Sequence, residues 1–379
     1  MSDFSFLGMN TYAFFGALET GLIYTLVALG VLISFRILDF PDLTADGSFP
    51  LGGAVCAVCI VQPPTSPLSF LANPWLATFL GMLAGACAGL VTAWLNVSLK
   101  ILHLLASILV MVALYSVNLR IMGAPNVPLL GEKTVFSLPF IVQENSYYMK
   151  PLIIAAFVVI FKLLLDWFFS TEIGLSVRAT GANQRMAQAQ GIATRKMVVF
   201  GMALSNALIA LGGALFVQIY GSADISIGVG TIVIGLAAVI IGETLMPTKR
   251  MIFITVSVVV GAILYRLFIQ LALGNDTLSD MGLKSQDVNL VTAVLVVIAL
   301  VLPKIKSHIL AITDPHQRNI RILGLLAQIT GGLGIIMCGL AILNDSLRLL
   351  VYGFGVLCIS IPIIVIMLIY KFSCNRLKS

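Results

Sequence analysis

Apolar residues run along this chain in stretches of about 17 to 25, the length an α-helix needs to cross a hydrocarbon layer roughly 30 Å thick. Such stretches occupy residues 12–36, 47–62, 75–97, 101–122, 150–169, 197–220, 228–246, 251–273, 288–303, 322–342 and 348–370. The pattern predicts an all-α polytopic membrane protein with about eleven transmembrane helices. Two of the stretches, 47–62 and 288–303, are short. The first is preceded by Pro41 and contains Gly47, so a broken or half-crossing helix is expected there.

Composition sharpens this reading. Of 379 residues, 59% are hydrophobic and only 10% charged, with mean hydropathy +1.07, whereas soluble domains carry about 25% charge. The net charge of +6 is therefore read as a record of orientation, not as a nucleic-acid footprint. With the N-terminus outside, fifteen Lys and Arg fall on inner loops and the tail, six on the outer side (Arg120 among them), and Lys162 lies within a span. That bias predicts an N-out, C-in topology, which an odd number of spans satisfies. Residues Met1–Tyr12 hold no basic run ahead of the first span, so no cleaved leader is expected.

Several chemistries find no support. Cys56 and Cys59 form C-x-x-C, but no second ligand pair follows, and small buried residues are the expected role of most cysteines here. His103, His308 and His316 are far apart, and neither H-E-x-x-H nor G-x-S-x-G occurs. No catalytic set, metal site or cofactor is expected. There is also no G-x-x-x-x-G-K-[ST] phosphate loop, so any ATP hydrolysis must come from a separate subunit.

Polar residues inside or beside the spans are the candidates for function. Residues 36–53, RILDFPDLTADGSFPLGG, place Asp39, Asp42 and Asp46 within eight residues between two spans. A charge at the bilayer centre costs about 2.5–3.5 kcal/mol even on lenient insertion scales, so carboxylates at depth face water, a cavity or a partner. Asp42 and Asp46 are thus candidates for a polar translocation route; the plainer alternative is that they cap the next helix. Tyr115, Asn118 and Arg120 end the fourth span with a cationic, hydrogen-bonding patch suited to an anionic or zwitterionic ligand, or to interfacial anchoring. Lys162 and Asp166, four residues apart, are expected to neutralise each other on one helix face. Glu19, Gln218 and Glu243 are further polar groups within spans, and Glu19 lies near enough to a span end to reach interfacial water.

The longest inner loop, residues 170–196, reads STEIGLSVRATGANQRMAQAQGIATRK. Between Gly181 and Gly191, Ala182, Met186 and Ala189 recur at helical spacing, with Gln184, Arg185, Gln188 and Gln190 on the other sides. A short helix lying along the membrane is expected, capped at its start by Thr180 or Asn183 and ended by Gly191. Its small residues, Ala187 included, suit close approach to a partner. It is either a docking element or a solvated connector.

Three segments resemble a known family: GLIYTLVALGVLISFRILDFPDLTADGSFPLGGAV (21–55), LLASILVMVALYSVNLRIMGAPNVPLL (104–130) and GLSVRATGANQRMAQAQGI (174–192). They look like permeases of bacterial ATP-binding-cassette importers of the branched-chain amino-acid, ribose and nucleoside type, and within these the tryptophan/tyrosine subgroup. The resemblance implies a permease homodimer in the bacterial inner membrane, seated on two ATPase subunits and supplied by an extracytoplasmic solute-binding protein. It also implies that residues 181–191 form the coupling helix, with Gly181, Ala182, Asn183, Arg185, Met186, Ala187 and Gly191 at the ATPase. The likeness extends through most of residues 10–305, which gives a permease core at 1–310. Residues 311–379 then add two spans and a cytoplasmic tail beyond the usual family pattern.

Three functional classes follow for comparison: an importer permease for a small solute such as an amino acid, an ion- or proton-coupled secondary transporter using Glu19, Asp46 and Lys162, and a membrane-embedded enzyme. The coupling-like loop favours the first, and the missing catalytic set disfavours the third.

Overall fold

The computed structural model of the protein describes residues 11–62, 72–137, 149–248 and 250–273. The chain divides into two units, Met1–Gln270 and Leu271–Ser379, and the described residues belong almost wholly to the first. They form ten α-helices: α1 Thr11–Val31, α2 Ala45–Ile60, α3 Pro74–Leu99, α4 His103–Met122, α5 Met149–Ser170, α6 Glu172–Ala182, α7 Gln184–Ala189, α8 Thr194–Tyr220, α9 Thr231–Leu245 and α10 Met251–Leu273. A π-helical turn, Leu32–Ile37, extends α1, and a 3-10 turn, Ile225–Gly228, precedes α9.

Among the described residues, seven stretches are long and apolar enough to cross a membrane: Tyr12–Ile37, Pro74–Leu99, His103–Met122, Met149–Ser170, Thr194–Tyr220, Ile225–Leu245 and Met251–Leu271. Each corresponds to a predicted span. The eighth predicted stretch, 47–62, becomes α2, which at 16 residues is too short to cross alone. The stretches 288–303, 322–342 and 348–370 and the boundary near residue 310 lie outside the described residues. The all-helical expectation needs one addition. Strands β1 (Asn126–Pro128) and β2 (Ser222–Asp224) pair antiparallel, Asn126 opposite Asp224 and Pro128 opposite Ser222, and join the end of α4 to the end of α8.

Small residues position the centre of the bundle. Between helices in lipid, association depends on van der Waals contact at closely approached backbones, because the tails are as apolar as the side chains. On α3, Gly81, Gly85 and Gly89 repeat every four residues and so line one face. A Cβ at Gly85 would strike the Ala210 methyl and the Asn206 carbonyl of α8, and one at Gly89 would strike the Met202 carbonyl. A Cβ at Gly81 would lie 2.7 Å from the Gly52 carbonyl oxygen of α2. Thus α2, α3 and α8 touch backbone to backbone, with α1 completing the buried centre. By contrast α4 and α5 expose apolar surface, including Leu105, Leu109 and Val112 on α4 and Leu152, Val159, Leu163 and Trp167 on α5.

Polar ties hold the periphery. Lys162 and Asp166 form the expected ion pair on α5, and Thr255 of α10 donates to Asp166 Oδ1 at 2.7 Å. Arg266 of α10 donates from Nε to Thr20 Oγ1 at 2.9 Å and stands 5.6 Å above the Tyr24 ring, tying α10 to α1. At the strand end of the bundle, Gln218 accepts from the Val135 N–H (2.9 Å) and donates to Thr78 Oγ1 (2.7 Å) and Cys56 Sγ (3.2 Å). That one side chain binds the segment after β1 to α2, α3 and α8.

Candidate functional site

The α1–α2 connection is where the fold departs most from plain crossing helices. The π turn ends with Leu38 N–H on Ile33 O and Phe40 N–H on Ser34 O, both 2.9 Å, wider than α-helical bonds. Asp39 then takes a left-handed backbone, φ 54°, a conformation Asp tolerates better than most residues. Phe40 is buried and stacks on His103 at 4.3 Å. From there the chain runs inward to a buried polar knot.

Asp42, 1% exposed, anchors that knot. Its Oδ1 accepts from the Thr44 N–H at 2.9 Å and its Oδ2 from Asn206 Nδ2 at 2.7 Å. Asn206 Oδ1 in turn accepts from Ser48 Oγ at 2.7 Å, and Thr44 Oγ1 meets Thr92 Oγ1 at 2.8 Å. Asn206 sits twelve residues into α8, about 18 Å along its axis and close to its middle. The connection and the start of α2 therefore lie at membrane depth, where non-helical backbone survives only when it is packed within protein. The bonds that cross between elements in the knot join side chain to side chain, so it fixes where α2 begins without regular secondary structure.

Asp46, in the first turn of α2, is part-exposed. Its Oδ1 accepts from the Ile232 N–H at 2.8 Å and its Oδ2 from the Gly230 N–H at 3.2 Å. A carboxylate at this position satisfies the free amides of a helix start and complements the α9 dipole. It caps a helix almost 190 residues away in sequence, while Gly230, the residue at the cap position itself, has no side chain to do so. Asn118 of α4 is fully buried and donates to the Gly47 carbonyl at 3.2 Å, leaving its own Oδ1 without a partner among the described residues. Arg120, two residues on, is exposed. The four predicted path residues thus divide: Asp42 and Asn118 lie inside the packing, whereas Asp46 and Arg120 carry accessible surface.

In the loop after α5, the predicted helix is α7, and a further helix, α6, precedes it. α6 runs to Ala182, Asn183 is extended (φ −160°, ψ 100°), and α7 is the six residues Gln184–Ala189. Asn183 caps α7, its Oδ1 accepting from the Met186 N–H at 3.1 Å. Gly191 ends it at φ +83°, with Gly191 N–H on Gln188 O and Ile192 N–H on Ala187 O, both 3.0 Å, the paired bonds of a Schellman motif. Ala182, Asn183, Arg185, Met186 and Gly191 are exposed. Ala187 is not: at 3% exposure it faces the protein, so it is not the surface knob that its small size suggested. Gly181 likewise lies within α6 rather than at a sharp bend, and a Cβ there would strike the Ile37 carbonyl and the Leu38 backbone.

Reading the chain alone missed Asn206, Thr44, Ser48 and Thr92. The available signal was Asn206, an amide in the middle of the longest apolar helix, whose partners can be named only once α2 is folded against α8. Arg36 and Glu243 were seen singly; the structure places Arg36 Nε 2.7 Å from Glu243 Oε1.

With that geometry in view, the chain matches over residues 13–302 the family described as branched-chain amino acid transport system / permease component. It is 39% identical over 277 residues to the tyrosine transport system permease protein of Clostridioides difficile, covering 73% of this chain and 86% of that one. It is 30% identical over 190 residues to the nucleoside ABC transporter permease protein NupC of Lactococcus lactis (45% and 57%). Against the probable branched-chain amino acid transport permease protein LivH of Methanocaldococcus jannaschii it is 26% identical over 211 residues (52% and 64%). No solved structure matches. The chain, with seven membrane-length apolar helices among the described residues, belongs to the branched-chain amino acid transport system permease family.

Proposed function

We propose that this protein is the transmembrane permease subunit of an ATP-binding-cassette importer in a bacterial inner membrane. The observation that carries the reading is α7: a capped, six-residue helix held between α6 and α8 with Asn183, Arg185 and Met186 turned outward. Such an element can pass a push from a partner directly to α8 and, through α6, to α5. In this reading the chain has eleven spans, N-out and C-in, with the permease core at 1–310 and two further helices and a tail at 311–379. It acts as a homodimer on two ATPase subunits and receives a small solute from an extracytoplasmic binding protein. The names of its relatives support an amino acid, tyrosine among them, as that solute. Asp46 and Arg120 contribute accessible polar groups to the route, and Asp42 and Asn118 hold its wall from behind.

The test is co-purification. The native complex is expected to contain an ATPase subunit, and Met186→Asp is expected to lower its recovery at least about tenfold, because Met186 is an apolar side chain on the outward face, 60% exposed. Ala187→Trp would also reduce recovery, but by displacing α7 from its own seat, and its thermal stability should fall as well. An ATPase retained at wild-type levels by Met186→Asp would overturn α7 as the docking element.

One observation favours a second reading, an ion- or proton-coupled carrier: Glu19 Oε1 is buried with no hydrogen-bond partner in the described residues. Uptake of radiolabelled tyrosine into vesicles holding the permease alone, driven by a pH gradient, would support that carrier instead.

A further inference from the structure

The α1–α2 connection grips α9 at both ends. Arg36, in the π turn, pairs with Glu243, two residues before α9 ends at Leu245. Ten residues later, Asp46 accepts the N–H groups of Gly230 and Ile232 at the other end of the same helix. Fifteen residues of α-helix measure about 22 Å, within the roughly 33 Å reach of a ten-residue stretch. One rod is thus fastened top and bottom to one short piece of chain.

A third contact brings in the loop that faces the partner. Gly181 of α6 lies so close to the Ile37 carbonyl and the Leu38 backbone that no side chain fits between them. Backbone meets backbone there, and a close-packed contact of this kind transmits displacement because nothing compliant lies across it. The π turn that receives it has the longer-range bonds of a wide turn, a form that recurs where helices must adjust. Beyond the turn the same connection enters the polar knot at Asn206, where α2 begins.

We propose that the π turn Leu32–Ile37 is the transmission element of the permease: it carries movement of the α6–α7 loop to α9 and to the start of α2, with the Arg36–Glu243 pair and Asp46 as its two clamps. This rests on the reading of α7 as the ATPase docking element. Arg36 and Glu243 are residues whose alteration should spare the fold, since their side chains are 66% and 32% exposed.

The experiment needs no knowledge of the solute. Val229→Cys places a thiol at a 70% exposed position beside Gly230, and its rate of maleimide labelling is measured in membranes holding the complete complex, with and without ATP. The same complex lacking the introduced cysteine gives the background. ATP is expected to change the labelling rate. Arg36→Glu and Glu243→Arg should each shrink that change about fivefold, the scale set by an exposed ion pair turned into a repulsion, while ATPase co-purification stays at the wild-type level. The double variant R36E/E243R restores the pair with its charges exchanged and should recover most of the response. A nucleotide response that survives both single reversals, or a double variant no better than the singles, overturns the transmission role and leaves the docking reading intact. If the unaltered complex contains no ATPase, the docking reading falls, and this one with it.

Discussion

Gly85→Leu is expected to yield no folded, monodisperse protein after detergent extraction, while Leu83→Ala, two residues away on the exposed face of α3, is expected to leave the elution profile unchanged. The difference lies in what each position meets. Overpacking a core ordinarily costs about 1–3 kcal/mol because neighbouring side chains can shift. At Gly85 the first atom added would meet the Asn206 carbonyl as well as the Ala210 methyl, and a carbonyl within α8 cannot move without the helix. Separating α3 from α8 would also disturb Gly89 against Met202 and Gly81 against the Ala214 methyl, so the loss spreads along the whole contact. Size-exclusion chromatography and far-ultraviolet circular dichroism of the two variants check this. A monodisperse Gly85→Leu protein with wild-type helicity would show that the stripe tolerates separation.

Asn206→Ala should be the next most damaging change, destabilising the protein by about 2–5 kcal/mol. The amide hydrogen-bonds both Asp42 and Ser48, so its removal strips a hydrogen bond from a buried carboxyl and another from a buried hydroxyl in a single step. Both groups are shut away from solvent, Asp42 at 1% and Ser48 at 0% exposure, and the start of α2 loses its anchor on α8. Ser48→Ala, which removes one hydrogen bond and leaves Asp42 paired, should cost only about 1 kcal/mol. Thermal unfolding followed by thiol-reactive fluorescence at buried Cys56 orders the two variants. Equal stability of the two would mean that Asp42 finds another partner when the amide is gone.

The long helices were legible because a span is set by one local property, a run of apolar residues about 20 long, and that property survives whatever the neighbours are. The shortness of α2 was legible for the same reason, although the helix itself runs unbroken from Ala45 to Ile60 with Gly47 in its first turn. What lay beyond reach was pairing. Asp46 read as a group of the polar route or as a cap for the next helix, yet the helix it caps is α9, because the relevant distance is set by how two returning segments meet. Gly181 and Gly191 looked alike as punctuation: Gly191 does supply the left-handed residue that ends α7, but Gly181 is there to let α6 reach the π turn. Ala187 carried no sequence mark of which side of a six-residue helix would face inward. Only the packing decides that, through Ala187 buried on one side and Met186 exposed on the other.

α7 has consequences of another kind. A helix of six residues has no stability of its own, since its nucleation is unfavourable and it propagates too little to recover. It persists because Asn183 closes its first turn, Gly191 and Ile192 close its last, and Ala187 is sunk into the protein. The outward face formed by Arg185 and Met186 is therefore shaped before anything binds to it. A partner arriving there forfeits little conformational entropy in ordering the loop, and that saving goes directly into affinity. Loosening the cap or the Schellman bonds would thus weaken association through disorder in the unbound permease, without removing a single atom from the interface.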